Sequence, residues 1–153
     1  SIEKIARMKG LDPRNPDMSL IFHDMSQLSE YTTIRDNSVF KLLKRNLPGP
    51  FTFIVQANNQ IPRMLKNKKQ TVGIRIADNR FVLDLIREFG KPIVSTSANV
   101  SGEPAPMIFP EIRHEIIDKV DYAVMYRRNV LSAVRPSTII RLTGEWEYEV
   151  VRS

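Results

Sequence analysis

The sequence predicts a single α/β domain built on a mixed β-sheet, and three observations carry that expectation. Segments with apolar residues three and four apart alternate with short β-branched or aromatic runs, the pattern of helices interleaved with strands. One run, Ile93-Val94-Ser95, is almost wholly apolar, as expected of a strand covered on both faces. The chain has 153 residues, of which 42% are apolar. At that length folding buries about 70% of the unfolded surface, enough for one self-sufficient core.

The elements follow in order. Ile2, Ile5 and Ala6 have the spacing of a helix that ends at Gly10. Asp12, Pro13 and Pro16 make residues 11–18 a loop. A short strand follows at 19–22, then a brief helix capped by Asp24 or Ser26 and running through 28–31. Asn37 is the expected cap of a longer helix with Val39, Phe40, Leu42 and Leu43 on its apolar face. Pro48-Gly49-Pro50 forces a turn into a strand at 51–56. A helical turn at 62–65 precedes a strand at 71–76. Asn79 opens a helix with Phe81, Val82, Leu85, Ile86 and Phe89 inward, closed by Gly90-Lys91-Pro92. Beyond the strand at 93–95 lies a turn-rich loop at 99–106 and a helix expected over 110–120, with Ile112, Ile116 and Ile117 inward. Strands at 122–125, 137–142 and 146–151 complete the sheet, and Gly144 marks the last hairpin.

Charge and composition narrow the function. Lys and Arg number 23 against 17 Asp and Glu, a net charge of +6. Fourteen of the cations are Arg, whose planar fork suits phosphate and carboxylate, so the surplus points to anionic partners or merely to a basic surface. The absence of cysteine excludes disulfides, thiolate metal sites and cysteine nucleophiles. Only His23 and His114 are present, with no acidic residue at ligand spacing, so no metal site is expected. No GxSxG elbow or Walker loop occurs. The longest apolar run is too short to cross a bilayer, and no signal peptide is expected.

Four features are candidates for chemistry. Ser95-Thr96-Ser97-Ala98-Asn99-Val100-Ser101-Gly102 leaves a strand with hydroxyls and backbone N–H groups, either an oxyanion site or a plain turn. Lys9 stands at a helix end before a loop bearing Arg14, where it either complements the helix dipole or closes over phosphates. Arg75 interrupts an apolar strand and needs a partner or an aqueous cleft; Pro48-Gly49-Pro50-Phe51-Thr52 lies upstream of it. Arg135-Pro136-Ser137-Thr138 enters a late strand, as a hairpin edge or a ligand contact.

Taken in this order, the pieces resemble the YrdC-like family of threonylcarbamoyl-adenylate synthases. Lys9 resembles the lysine of the family's Lys-x-Arg motif, and Leu47-Pro48-Gly49-Pro50-Phe51-Thr52 its W-P-G-P-[LF]-T segment. Val72-Gly73-Ile74-Arg75-Ile76 resembles V-G-[VI]-R-[VI]-P, and residues 92–102 resemble P-[IL]-x-x-[TP]-S-A-N-x-S-G. Ser137-Thr138-Ile139 and Val151-Arg152 resemble the family's later S-T-[VI] and its terminal arginine. The resemblance spans residues 1–153 as one domain, without the family's opening strand and P-T-x-T-x-Y-G-L segment. It implies a twisted α/β sheet with a basic concave face, in the cytoplasm and not in a membrane.

The implied reaction joins threonine, bicarbonate and ATP, with Mg2+ on the triphosphate, to give threonylcarbamoyl-AMP and pyrophosphate for tRNA modification. Lys9, Ser97 and Asn99 are then catalytic. Lys9, Arg14, Thr52, Arg75, Ser95, Ser97, Asn99, Ser137 and Arg152 are the nucleotide-binding set. Alanine at Ser97 or Asn99 is expected to weaken nucleotide binding while barely changing the melting temperature. Where the family has its arginine this chain has Leu11, a feature of the YciO-like branch, and activity is expected to be weak; Arg14 is the candidate substitute. The alternative is a tRNA- or double-stranded-RNA-binding module of the same fold, using Arg63, Lys66, Lys68, Lys69, Arg127 and Arg128.

Overall fold

Six strands form one mixed sheet: β1 (Ser19–Phe22), β2 (Phe51–Gln56), β3 (Thr71–Ile76), β4 (Ile93–Ser95), β5 (Thr138–Gly144) and β6 (Glu147–Arg152). The structure is a computed structural model and describes residues 2–14, 16, 18–130, 137–144 and 147–152. The strand order is β4-β1-β3-β2-β5-β6. β1 runs parallel to β3 and β2 parallel to β5, while the other neighbours are antiparallel. The helices among the described residues are α1 (Ile2–Lys9), α2 (Met25–Tyr31), α3 (Asn37–Asn46), α4 (Arg80–Phe89) and α5 (His114–Ile117). Two 3₁₀ turns lie at Arg63–Leu65 and Phe109–Glu111.

The chain divides into two compact units. Unit 2, Asp17–Ser95 with Ser137–Ser153, holds the whole sheet, α2, α3 and α4. Its core is set by strand alternation. Leu20 and Phe22 of β1, Phe53 and Val55 of β2, and Val72, Ile74 and Ile76 of β3 are all buried. Leu28, Leu43 and Ile86 are the buried positions of α2, α3 and α4. Phe22 meets the Tyr31 ring edge-on at 5.7 Å. Unit 1, Ser1–Pro16 with Thr96–Pro136, holds α1, α5 and the loop that leads from β4 to α5, and α1 touches α5.

Several expectations change. The strand expected at 122–125 is not one: Tyr122 is 74% and Met125 71% exposed, and no neighbour takes up a backbone ladder there. The helix expected over 110–120 splits, because Ile112 and Arg113 are extended. That break lets the Arg113 guanidinium reach both Glu103 and Glu115. The run at 93–95 is an edge strand, and none of its residues is fully buried. On α4, Leu85 and Phe89 point outward rather than into the core, the latter 62% exposed. α3 is capped by Asp36, whose carboxylate accepts from the Ser38 N–H, and not by Asn37.

The caps give the acid behaviour of the fold. The Gln27 and Ser38 amides donate to the Asp24 and Asp36 carboxylates. Asp24 is held below its ordinary value of 3.8, first by the backbone bond from Gln27 and then by the His23 side chain. Asp36 is also held below 3.8, by the hydroxyl and then the backbone N–H of Ser38. Both carboxylates are therefore more acidic folded than unfolded. Their contribution is complete above the unfolded value and is lost as pH falls through the folded one. Urea denaturation of Asp24→Asn/Asp36→Asn, which keeps capping side chains, is expected to show a shallower loss of stability below about pH 4 than the wild type. An unchanged acid limb would contradict these assignments.

Candidate functional site

The site in unit 1 begins with the way α1 ends. Gly10 has φ 71°, the left-handed conformation that glycine adopts at low cost. The Leu11 N–H reaches the Ala6 carbonyl at 2.8 Å and the Gly10 N–H reaches that of Arg7 at 3.2 Å, a Schellman closure. Lys9 is thus the last helical residue, and its own carbonyl turns out to accept from the Ser101 N–H at 2.9 Å.

Its side chain grips the same loop. Lys9 is 5% exposed, and its Nζ donates to the Ser97 and Asn99 carbonyls at 2.5 Å each and to Asn99 Oδ1 at 3.2 Å. Three oxygen acceptors call for three protons, so the group is an ammonium. Burial lowers its pKa from the usual 10.5. Asn99 continues the chain of contacts, its Nδ2 donating to the Glu103 carbonyl at 2.6 Å. Ser97 and Ala98 face solvent.

Unit 2 carries a second polar group, on the sheet face opposite Leu20, Phe53 and Ile74. Ser19 stands opposite Ser95 on one side and Gly73 on the other, and its hydroxyl donates to the Ser95 carbonyl at 3.4 Å. A Cβ on Gly73 would come within 3.2 Å of Thr52 Cγ2 and 3.3 Å of Ser19 Cβ, so glycine is what lets these neighbours close in. The Thr52 and Ser137 hydroxyls share a hydrogen bond of 2.7 Å, and both residues are buried. Arg75 is half-buried on β3, with no hydrogen-bond or ion-pair partner among the described residues. Its pKa is lowered by desolvation.

The structure therefore gathers Lys9, Ser97 and Asn99 in unit 1, and Thr52, Ser137, Ser95 and Arg75 on the sheet of unit 2. Arg14 pairs with Asp12 in unit 1. The guanidinium grips Asp12 through two 3.1 Å bonds and is 90% exposed. The side chain of Arg152, and residues Arg135 and Pro136, lie outside the described residues. Ser19 and Gly73 join this polar group without having been singled out in the sequence, although the serine opening a strand and the glycine inside one are visible signals. Of the RNA candidates, Arg63, Lys68 and Lys69 are exposed on the turn before β3, while Lys66 donates to the Asn58 carbonyl at 3.1 Å. Arg127 is exposed at φ 55°. Arg128 has a structural task instead: it lies 4.1 Å over the Phe109 ring and donates to the Ala123 and Val124 carbonyls. No group of three His, Cys, Asp or Glu is placed to hold a metal ion among the described residues.

The geometry revises one expectation about stability. Asn99 bonds on both sides, so Asn99→Ala is expected to cost about 1–3 kcal/mol in unfolding free energy, the range for leaving partners unsatisfied. Ser97, whose exposed hydroxyl makes no bond to the protein among the described residues, should change by less than about 0.5 kcal/mol on Ser97→Ala. Chemical denaturation of the two variants checks this, and equal effects would contradict it.

Comparison with known proteins agrees with the architecture. The Sua5–YciO–YrdC family model, described as telomere recombination, matches residues 1–153. YciO of Escherichia coli K12 is 33% identical over 95% of this chain and 69% of its own length. A protein of Methanocaldococcus jannaschii named as a putative threonylcarbamoyl-AMP synthase is 32% identical, over 95% of this chain and 66% of its own. Among solved structures, Sua5 of P. abyssi superposes with a TM-score of 0.86 at 26% identity, covering 99% of this chain and 45% of that one. E. coli YciO superposes at 0.77 and 30% identity, with 99% and 71% covered. No helix among the described residues is long and apolar enough to cross a membrane. With the whole chain matched by the family model and the sheet shared with YciO, the chain belongs to the Sua5–YciO–YrdC family, on its YciO branch.

Proposed function

We propose that this chain activates a carbamate of threonine with ATP, giving threonylcarbamoyl-AMP, pyrophosphate and water from threonine, bicarbonate and ATP. The observation that carries the reading is the buried Lys9 ammonium bonded to the Ser97–Asn99 loop, a positive charge behind exposed polar groups. Relatives named as threonylcarbamoyl-AMP synthases support it, from M. jannaschii and from Vibrio vulnificus, the latter 28% identical over 91% of this chain and 74% of its own length. A Sua5 of P. abyssi has been solved with L-threonine, in a comparison at 24% identity that speaks for the fold.

The chemistry fits the residue types. A carbamate oxygen forms a bond to the α-phosphorus while the bond to the pyrophosphate oxygen breaks, and the leaving group departs as an anion. Such a step is accelerated by holding the reactants in line and by donors placed where charge develops. The loop supplies main-chain N–H groups and the Ser97 hydroxyl, with the lysine charge behind them. On the sheet of unit 2, half-buried Arg75 is by itself a cation suited to an anionic group. Magnesium would travel on the triphosphate, ligated by phosphate oxygens and water.

Leu11 sets the expected rate. It offers no charge where the family carries an arginine, and Arg14 is committed to Asp12. Loss of about 1.4 to 2.7 kcal/mol of transition-state contact lowers a rate roughly tenfold to a hundredfold. Pyrophosphate release from ATP that requires both threonine and bicarbonate is the assay. It should be slow in the wild type, rise at least about tenfold in Leu11→Arg, and stay unchanged in Arg14→Ala. No threonine-dependent release from either the wild type or Leu11→Arg would overturn the reading.

A further inference from the structure

We propose that Lys9 is a positioning residue. Its ammonium holds the 97–101 loop so that the main-chain N–H groups of Ala98 and Val100 face outward as the anion donors, and it does not itself touch the anion. The proposal rests on reading this loop as the nucleotide site.

The first reason is saturation. An ammonium has three protons, and three oxygens of the loop already receive them: the Ser97 carbonyl, the Asn99 carbonyl and Asn99 Oδ1. To bond a phosphate, Nζ would have to leave acceptors at 2.5 Å in a site where Lys9 is 5% exposed. Abandoned acceptors with limited access to water are costly.

The second reason is the planarity of the peptide. In a trans peptide the N–H of one residue points opposite to the carbonyl of the residue before it. With the Ser97 and Asn99 carbonyls turned to Nζ, the N–H groups of Ala98 and Val100 point away from it. Neither has a partner among the described residues, and Ala98 is exposed. Outward main-chain N–H groups close together form a concavity that binds anions. Here the lysine charge lies behind the peptide planes and polarises them without meeting the ligand.

The third reason is that side chain and main chain of one residue hold the same loop. The Lys9 carbonyl accepts from Ser101 while its ammonium bonds residues 97 and 99. The closure of α1 at Gly10 is what frees that carbonyl. Such a double attachment fixes both the position and the tilt of the loop.

The test has two arms. A crystal structure of the wild type with inorganic pyrophosphate should keep Nζ on the Ser97 and Asn99 carbonyls, with phosphate oxygens on the N–H groups of Ala98 and Val100. Movement of Nζ onto a phosphate oxygen would overturn the proposal. In the ligand-free protein, amide hydrogen exchange of Ser101 and Glu103 should be at least about tenfold faster in Lys9→Met than in the wild type. Pyrophosphate affinity should fall by a similar factor, and Lys9→Arg should rescue neither, because a planar fork cannot meet three converging oxygens. Unchanged exchange in Lys9→Met, or restored affinity without restored protection in Lys9→Arg, would also overturn it. If Lys9→Met does not fold, the wild-type structure decides. A wild type that binds no pyrophosphate would refute the nucleotide reading and the role of the two amides, and the exchange data would still decide whether Lys9 holds the loop.

Discussion

A buried ammonium must be given oxygen, and unit 1 is organised around that need. Removing a charge from water costs several kcal/mol unless hydrogen bonds replace the hydration. Lys9 meets the condition only if residues 97 and 99 present their carbonyls together. That in turn requires α1 to stop at Gly10, Asn99 to tie back to Glu103, and Glu103 to be steadied by Arg113. The contacts join residues about 90 positions apart in the sequence, so the arrangement belongs to the folded unit and not to any local segment.

The sheet in unit 2 obeys a different constraint. One face must be filled by Leu20, Phe22, Phe53, Val55 and Ile74, and strand alternation then sends Ser19, Thr52, Gly73 and Arg75 to the other. The polar row is thus a consequence of core packing with small residues placed in register. Gly73 allows close approach of its neighbours, and the Thr52–Ser137 bond gives two buried hydroxyls a partner.

Much of this was legible in the sequence because the signals are local. The strands at Ser19–Phe22, Phe51–Gln56, Thr71–Ile76 and Ile93–Ser95 follow from short apolar runs between turn residues, and α4 from its cap at Asn79 and stop at Gly90. What escaped depends on tertiary context. Asp36 and Asn37 are both good caps, and only the observed backbone decides between them. Residues 122–125 have strand-like composition, but a strand exists only with a partner. The outward Leu85 and Phe89 on α4 fit a helical period that says nothing of which stripe is covered. In unit 1, the sequence singled out Lys9, Ser97 and Asn99 together, but not which way the side chains of Lys9 and Arg14 turn. Direction of a side chain is a property of the fold: Lys9 turns to carbonyls and Arg14 to Asp12.

The most direct test of the central claim, that the lysine-held loop is where nucleotide binds, is a nuclear magnetic resonance titration of the protein with magnesium and a non-hydrolysable ATP analogue. The largest amide shifts are predicted at residues 97–101, saturating with one ligand per chain. Shifts confined to the exposed basic turn at 63–69, with residues 97–101 unmoved at saturation, would contradict it.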